Sequence, residues 1–116
     1  MPPPALRQTA VIIPARNEEL SIGRVLEDLP SVAIVIVTDN GSTDRTAKIA
    51  SDAGCVVVSE PIPGYGRACL SGMSKLASVV TQQGLDIQYV AFIDADYSAH
   101  PQEVVELLRV LCEDEA

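Results

Sequence analysis

The chain has 116 residues, 47% of them hydrophobic, with 8 Lys or Arg against 16 Asp or Glu. That length supports one domain able to bury about 65% of its unfolded surface, and it excludes two. A net charge of −8 excludes the basic face that nucleic acid or an anionic lipid surface would require. Cys55, Cys69 and Cys112 form no C-x-x-C pair, so neither a disulfide framework nor a zinc site is expected, and thiols of this kind fit a cytoplasmic location. No apolar run approaches the roughly 18 residues of a membrane span, and the N-terminal MPPPALRQT lacks an apolar signal core.

Taken in order, residues 1–8 carry three consecutive prolines and are expected to form a disordered tail. Thr9 to Pro14 (TAVIIP) is a β-branched run of the kind buried in a parallel sheet, with Pro14 expected to stop the pairing. A polar loop at Arg16 to Glu19 precedes Leu20, Ile22, Val25, Leu26 and Leu29, which recur at helical spacing until Pro30. Val32 to Thr38 reads as strand two, and the DNGSTDRT stretch after it is rich in turn and cap residues. A helix is expected from about Thr43 to Ala53, stopped by Gly54, and Cys55 to Ser59 is strand three. The loop EPIPGYG feeds a helix from Arg67 to Gln83 whose expected inner stripe is Cys69, Met73, Leu76, Ala77 and Val80. Tyr89 to Ile93 is strand four. A last helix should begin at Pro101, with Val104, Val105, Leu107, Leu108 and Leu111 inward.

Four alternations of strand and helix predict an α/β fold, a Rossmann-like parallel sheet with helices on both faces and strand order 3-2-1-4. In such a sheet ligands sit beyond the carboxyl ends of the strands where the order reverses, here between strands one and four. The loops carrying Arg16, Asn17 and Glu18 and carrying Asp94 and Asp96 should face one another there. Because strand side chains alternate, Asp94 and Asp96 leave strand four pointing the same way, about 6 to 7 Å apart. Two carboxylates so spaced suit one Mg2+ or Mn2+ whose remaining positions are filled by phosphate and water. Asp39 reads equally as a turn aspartate or as a contact to a base or ribose, with Asp44 the structural partner of that turn. Gly64, Gly66 and Arg67 lie before a helix and could bring backbone amides and positive charge to a phosphate, or could be a flexible turn only. His100, the only histidine, is first of all a residue at a helix start, with catalysis the lesser reading.

Four blocks, VIIPARNEE, VTDNGSTDRT, GYGRACLSGM and FIDADYSAHP, together resemble the successive motifs of family-2 glycosyltransferases with the GT-A fold. The last two are most similar to those of polyprenyl-phosphate sugar transferases of the dolichyl-phosphate mannose synthase type. The resemblance implies that Pro14, Arg16 and Glu18 belong to the first nucleotide-contacting loop and that Asp39 meets the base or ribose. It further implies that Asp94, Ala95 and Asp96 are a D-x-D motif holding the donor diphosphate through Mn2+ or Mg2+. Asn40 stands where the family has a second acid. The implied reaction is inverting transfer of a sugar from a nucleoside diphosphate-sugar, of the GDP-mannose or UDP-glucose class, to a polyprenyl phosphate. Residues 9–116 would then be the donor-binding part of a longer domain, acting at the inner face of a membrane through a further segment or a partner. Strand four would be an open edge prone to self-association. The other readings are a noncatalytic nucleotide-binding fragment and a receiver-like domain; the second lacks the acids expected after strand one and the aspartate expected after strand three.

Overall fold

The computed structural model describes residues 4–96; His100, the helix expected from Pro101 and Cys112 lie outside the described residues. The elements run α1 (Pro4–Arg7), β1 (Thr9–Ala15), α2 (Ile22–Asp28), β2 (Ile34–Asp39), α3 (Thr46–Asp52), β3 (Val56–Ser59), α4 (Tyr65–Gln83) and β4 (Tyr89–Phe92). Order therefore begins before Thr9, which corrects the expected tail. Proline is at home in the first turn of a helix, where no amide donor is needed. Leu6 is buried, and the Gln8 carbonyl accepts from the Gln88 and Tyr89 N–H groups at 2.8 and 3.1 Å, so the start of the chain is tied to β4.

The four strands form one parallel sheet in the order β3-β2-β1-β4, as expected. Period-two alternation divides β1 between two cores. Val11, Ile13 and Ala15 pack with Ile22 and Val25 of α2 and Ala50 of α3, while Ala10 and Ile12 pack with Leu76 of α4 on the other face. Ile12, Ile13, Ile22 and Ile36 are wholly buried, each worth about 1.5–3 kcal/mol of apolar burial.

Pro14 does not stop β1. It stays paired with Thr38 of β2, whereas the register with β4 ends at Ile12 and Phe92. The Ile12 carbonyl accepts from Ile93 N–H at 3.1 Å and the Ala15 carbonyl accepts from Asn40 N–H at 2.8 Å. Backbone groups alternate sides along a strand, so the N–H that proline lacks falls on the β4 side. The chain after Ile93 is thereby released from the ladder as the acidic loop.

Two helices are phased differently from their apolar patterns. Leu20 is 98% exposed, because Ser21 and Ile22 N–H groups close a turn onto the Glu18 carbonyl and α2 starts only at Ile22. In α4 the buried positions are Ala68, Gly72, Leu76 and Val79, while Met73 is 40% exposed and Ala77 is exposed as well. The helix turns Ala68 and Gly72 to the sheet, since a glycine and an alanine let its axis approach more closely than a methionine would. Among the described residues β4 has no second neighbour, and Val90 and Phe92 lie exposed on its α4 side.

Candidate functional site

All four strands deliver their following loops to one end of the sheet. The hydroxyl of Ser21 donates to the Ala95 carbonyl at 2.6 Å, which joins the loop after β1 to the loop after β4. Ala95 is buried between exposed Asp94 and Asp96, the alternation that places both carboxylates outward. The two loops expected to face each other are therefore in contact.

The loop after β2 holds the loop after β1 in place. Asn17 takes a left-handed backbone, φ 54°; its N–H donates to Ser42 Oγ at 2.9 Å and its Oδ1 accepts from Thr43 N–H at 2.8 Å. Glu18 N–H donates to Thr46 Oγ1 at 2.8 Å, and Glu19 N–H donates to Asp44 at 3.2 Å. Asp44 also accepts from the Thr46 hydroxyl and N–H. The Thr46 hydroxyl foremost holds this carboxyl below the ordinary aspartate range. Asp44 is thus the structural aspartate of the turn, as expected. Asparagine tolerates a left-handed backbone better than alanine does, so Asn17→Ala should cost about 1–3 kcal/mol through conformational strain and a lost hydrogen bond. Asn17→Gly should cost less; urea denaturation of both variants checks the order, and an equal loss would refute the strain argument.

Asp39 accepts from Ser42 N–H at 3.1 Å and is half-buried, which gives it a turn role. Asn40 beside it is buried. Its amide donates to the Glu60 and Ile62 carbonyls at 2.8 and 2.9 Å, and its Oδ1 accepts from Gly64 N–H at 3.0 Å. Asparagine meets both demands because its amide presents donors and an acceptor together. Glu60 completes the clamp, accepting from the Ser71 hydroxyl at 2.5 Å and Ile62 N–H at 3.0 Å. Those two bonds, and then Arg67, hold its carboxyl below the usual glutamate range. Arg67 lies 3.5 Å from Glu60, so the structure sets this arginine against the loop after β3.

Between the ends of β1 and β2 and the start of α4 lies a cleft of about 260 Å³ lined by Pro14, Ala15, Arg16, Asn40, Gly64, Tyr65 and Ala68. Pro14 and Arg16 of the expected site are there; Arg67 is not. Tyr65, Asn40, Ser21 and Glu60 were not among the expected site residues. Only the small residues flanking Tyr65 hinted at a place where backbone and ligand meet. A larger cavity of about 690 Å³ lies at the opposite end of the sheet, among Leu26, Val32, Ile49, Cys55 and their neighbours. Glu27 and Asp52 also line it, and it stands apart from the loops that follow the strands.

Among the described residues no cluster of three or more His, Cys, Asp or Glu side chains is placed to enclose a metal. Asp94 and Asp96, exposed on either side of buried Ala95, offer oxygen donors of the kind that suits Mg2+ or Mn2+ when substrate phosphate and water supply the other ligands.

The sequence model described as Glycosyl transferase family 2 matches residues 10–116. The chain belongs to this family. Its architecture is that of the family's GT-A fold, which sets aside the receiver-like reading. An uncharacterized glycosyltransferase of Mycobacterium tuberculosis is 38% identical over 101 residues, 87% of this chain and 42% of that protein. A 4,4'-diaponeurosporenoate glycosyltransferase of Staphylococcus aureus is 36% identical over 107 residues, covering 84% of this chain and 26% of its own length. The crystal structure of glucosyl-3-phosphoglycerate synthase from Mycobacterium tuberculosis with Mn2+, UDP and glucosyl-3-phosphoglycerate superposes with a TM-score of 0.69 at 31% identity. It covers 90% of this chain and 39% of the synthase. This family-2 chain thus spans about two fifths of the mycobacterial relatives it matches.

Proposed function

We propose that this chain binds the nucleoside diphosphate-sugar donor of a glycosyl transfer reaction at the carboxyl end of its sheet. The observation that carries the reading is the Ser21–Ala95 hydrogen bond, which brings the β1 loop with Pro14, Arg16 and Glu18 against the Asp94–Asp96 loop. The nucleoside would lie along the β1 loop near Asp39, with Arg16 offering positive charge to the phosphates. Asp94 and Asp96 would hold a divalent cation, whose chemistry when bound is to neutralise charge growing on the departing diphosphate. The related synthase structures contain UDP with Mn2+ or Mg2+, and one contains UDP-glucose, which favours a UDP-sugar over GDP-mannose.

The acceptor in this reading is a polyprenyl phosphate, on the resemblance of the GYGRACLSGM and DADYSAHP blocks. An ionised phosphate can attack the anomeric carbon with inversion and needs no base. Self-association through the open edge of β4, where Val90 and Phe92 are exposed, belongs to the same reading. No helix among the described residues is long and apolar enough to cross a membrane. A second reading of the same site is donor binding without transfer.

Thermal-shift titration with UDP-glucose, GDP-mannose, UDP and GDP, with Mn2+ or with EDTA, tests the proposal. A nucleotide at 100 times its Kd should add about 2.7 kcal/mol of stability, only with metal, and Asp96→Asn should abolish that gain. Stabilisation that survives both EDTA and Asp96→Asn would refute the acidic loop as the metal site. Transfer of labelled sugar to polyprenyl phosphate separates catalysis from binding alone.

A further inference from the structure

β4 is covered on one face only among the described residues. Tyr89, Ala91 and Ile93 turn toward the core that holds Leu6, Val11 and Ile13. Val90 and Phe92, in register with Ala10 and Ile12 of β1, turn to the α4 side and are 37% and 45% exposed. The strands of a parallel sheet are ordinarily covered on both faces. α4 leaves this face bare because it seats over β1 and β2 through Ala68, Gly72, Leu76 and Val79. Its polar flank lies on the β3 side, where Ser71, Ser74, Lys75 and Ser78 line a groove with Val58. At about 100° per residue the opposite flank, turned toward β4, is Cys69, Met73, Ala77 and Val80, of which Met73 and Ala77 are exposed. An apolar shelf about 16 Å long, at 1.5 Å per residue from Cys69 to Val80, therefore runs beside α4 and is floored by Val90 and Phe92. It is a face of β4, distinct from that strand's open backbone edge.

The chain that follows the acidic loop has the pattern to fill this shelf. Residues 101–112, PQEVVELLRVLC, lie outside the described residues. At helical spacing Val104, Leu107, Leu108 and Leu111 share one face with Val105 beside them, while Gln102, Glu106 and Arg109 fall opposite. A helix over this stretch would be about 18 Å long, which matches the shelf. The segment is tethered to β4 by residues 94–100, so its first choice of surface is the strand that it leaves. The far face of that strand is already filled by Leu6 and its neighbours. A crossover from β4 toward the open edge of the sheet, right-handed as parallel crossovers are, also falls on the face that α4 occupies. We infer that residues 101–112 dock as an amphipathic helix on the shelf between α4 and β4. So placed, the segment fixes the far end of the loop carrying Asp94 and Asp96, whose near end β4 holds. The inference stands whether or not that loop binds a nucleotide.

Amide hydrogen exchange on the intact wild-type chain tests the docking. A helix this short is marginal in water unless it packs, so the N–H groups of residues 105–112 should exchange about a hundredfold or more slowly than in an open chain only if the helix is docked. Exchange at the open-chain rate overturns the inference. Met73→Asp and Phe92→Ser, both on the shelf, should each lower that protection about tenfold or more, whereas Leu20→Ser, on another surface, should leave it unchanged. Protection that survives both shelf variants puts the segment elsewhere and overturns the inference. Urea denaturation supplies a second readout. Phe92→Ser should raise the unfolding constant about tenfold or more in the wild-type background, and less than about threefold when Leu107→Asp and Leu108→Asp have already undocked the segment. The same cost in both backgrounds overturns the inference. Protection that falls on dilution, together with a dimer seen by light scattering, assigns the shelf to a second copy and overturns the seat within one chain.

Discussion

Asn40→Asp is expected to cost the fold about 3–4 kcal/mol at pH 7, although it restores an acid found in the family at this place. The amide now donates to two carbonyls and accepts from Gly64 N–H. A carboxylate keeps the acceptor and loses both donors, leaving two carbonyl oxygens facing a buried negative charge. Each unsatisfied buried group costs about 1–3 kcal/mol, and the charge adds desolvation. The pH dependence follows from the sign of that interaction. Burial against carbonyl oxygens raises the introduced acid above its unfolded value of about 3.9. A raised acid binds more protons in the native state, so the deficit relative to wild type grows as pH rises through the folded pKa and shrinks below about pH 4. Urea denaturation of both proteins at pH 7 and pH 4 checks this. Equal midpoints at pH 7 would show that Asn40 does not hold the loop at 60–64.

Gly72→Val is expected to cost about 3 kcal/mol or more, and Gly72→Ala about 1–2 kcal/mol. A Cβ at position 72 would stand 2.6 Å from Ile12 Cγ2 and 3.0 Å from Thr38 Oγ1, both on wholly buried residues of the two central strands. Overpacking of this kind costs about 1–3 kcal/mol, offset in the alanine variant by up to about 1 kcal/mol of helix propensity. Thr38 Oγ1 is already buried without a hydrogen-bond partner among the described residues. The clash also predicts coupling: in an Ile12→Ala background, which removes the opposing methyl, Gly72→Ala should become neutral or stabilising. A cost for Gly72→Ala that is the same in both backgrounds would point to some cause other than this contact. If α4 is displaced in these variants, nucleotide affinity should fall with stability, because the same helix carries Tyr65 to the cleft.

The sheet, its order and the acidic loop were legible because each rests on local pattern. TAVIIP, VAIVIVT, CVVVS and YVAFI are apolar runs of strand length, and the intervening helices dictate parallel crossovers. Asp94 and Asp96 stand out because they follow such a run with period two. The phase of α4 was misread because its inner face is built on Ala68 and Gly72, which carry little hydrophobic signal, while exposed Met73 carries much. Leu20 misled in the same way, since a tight turn on the Glu18 carbonyl decides where α2 begins.

What the sequence by itself determined is the family, the alternating α/β architecture and the acidic pair, all set by residue type and spacing within single elements. What only the tertiary structure decided is which side chains converge. Asn40 meets the loop at 60–64 more than twenty residues later, Ser21 meets Ala95 across 74 positions, and Tyr65 rather than Arg67 faces the cleft. Contacts of that separation depend on how closely a helix seats on its sheet and on where a proline releases a strand, and those are set by packing between elements.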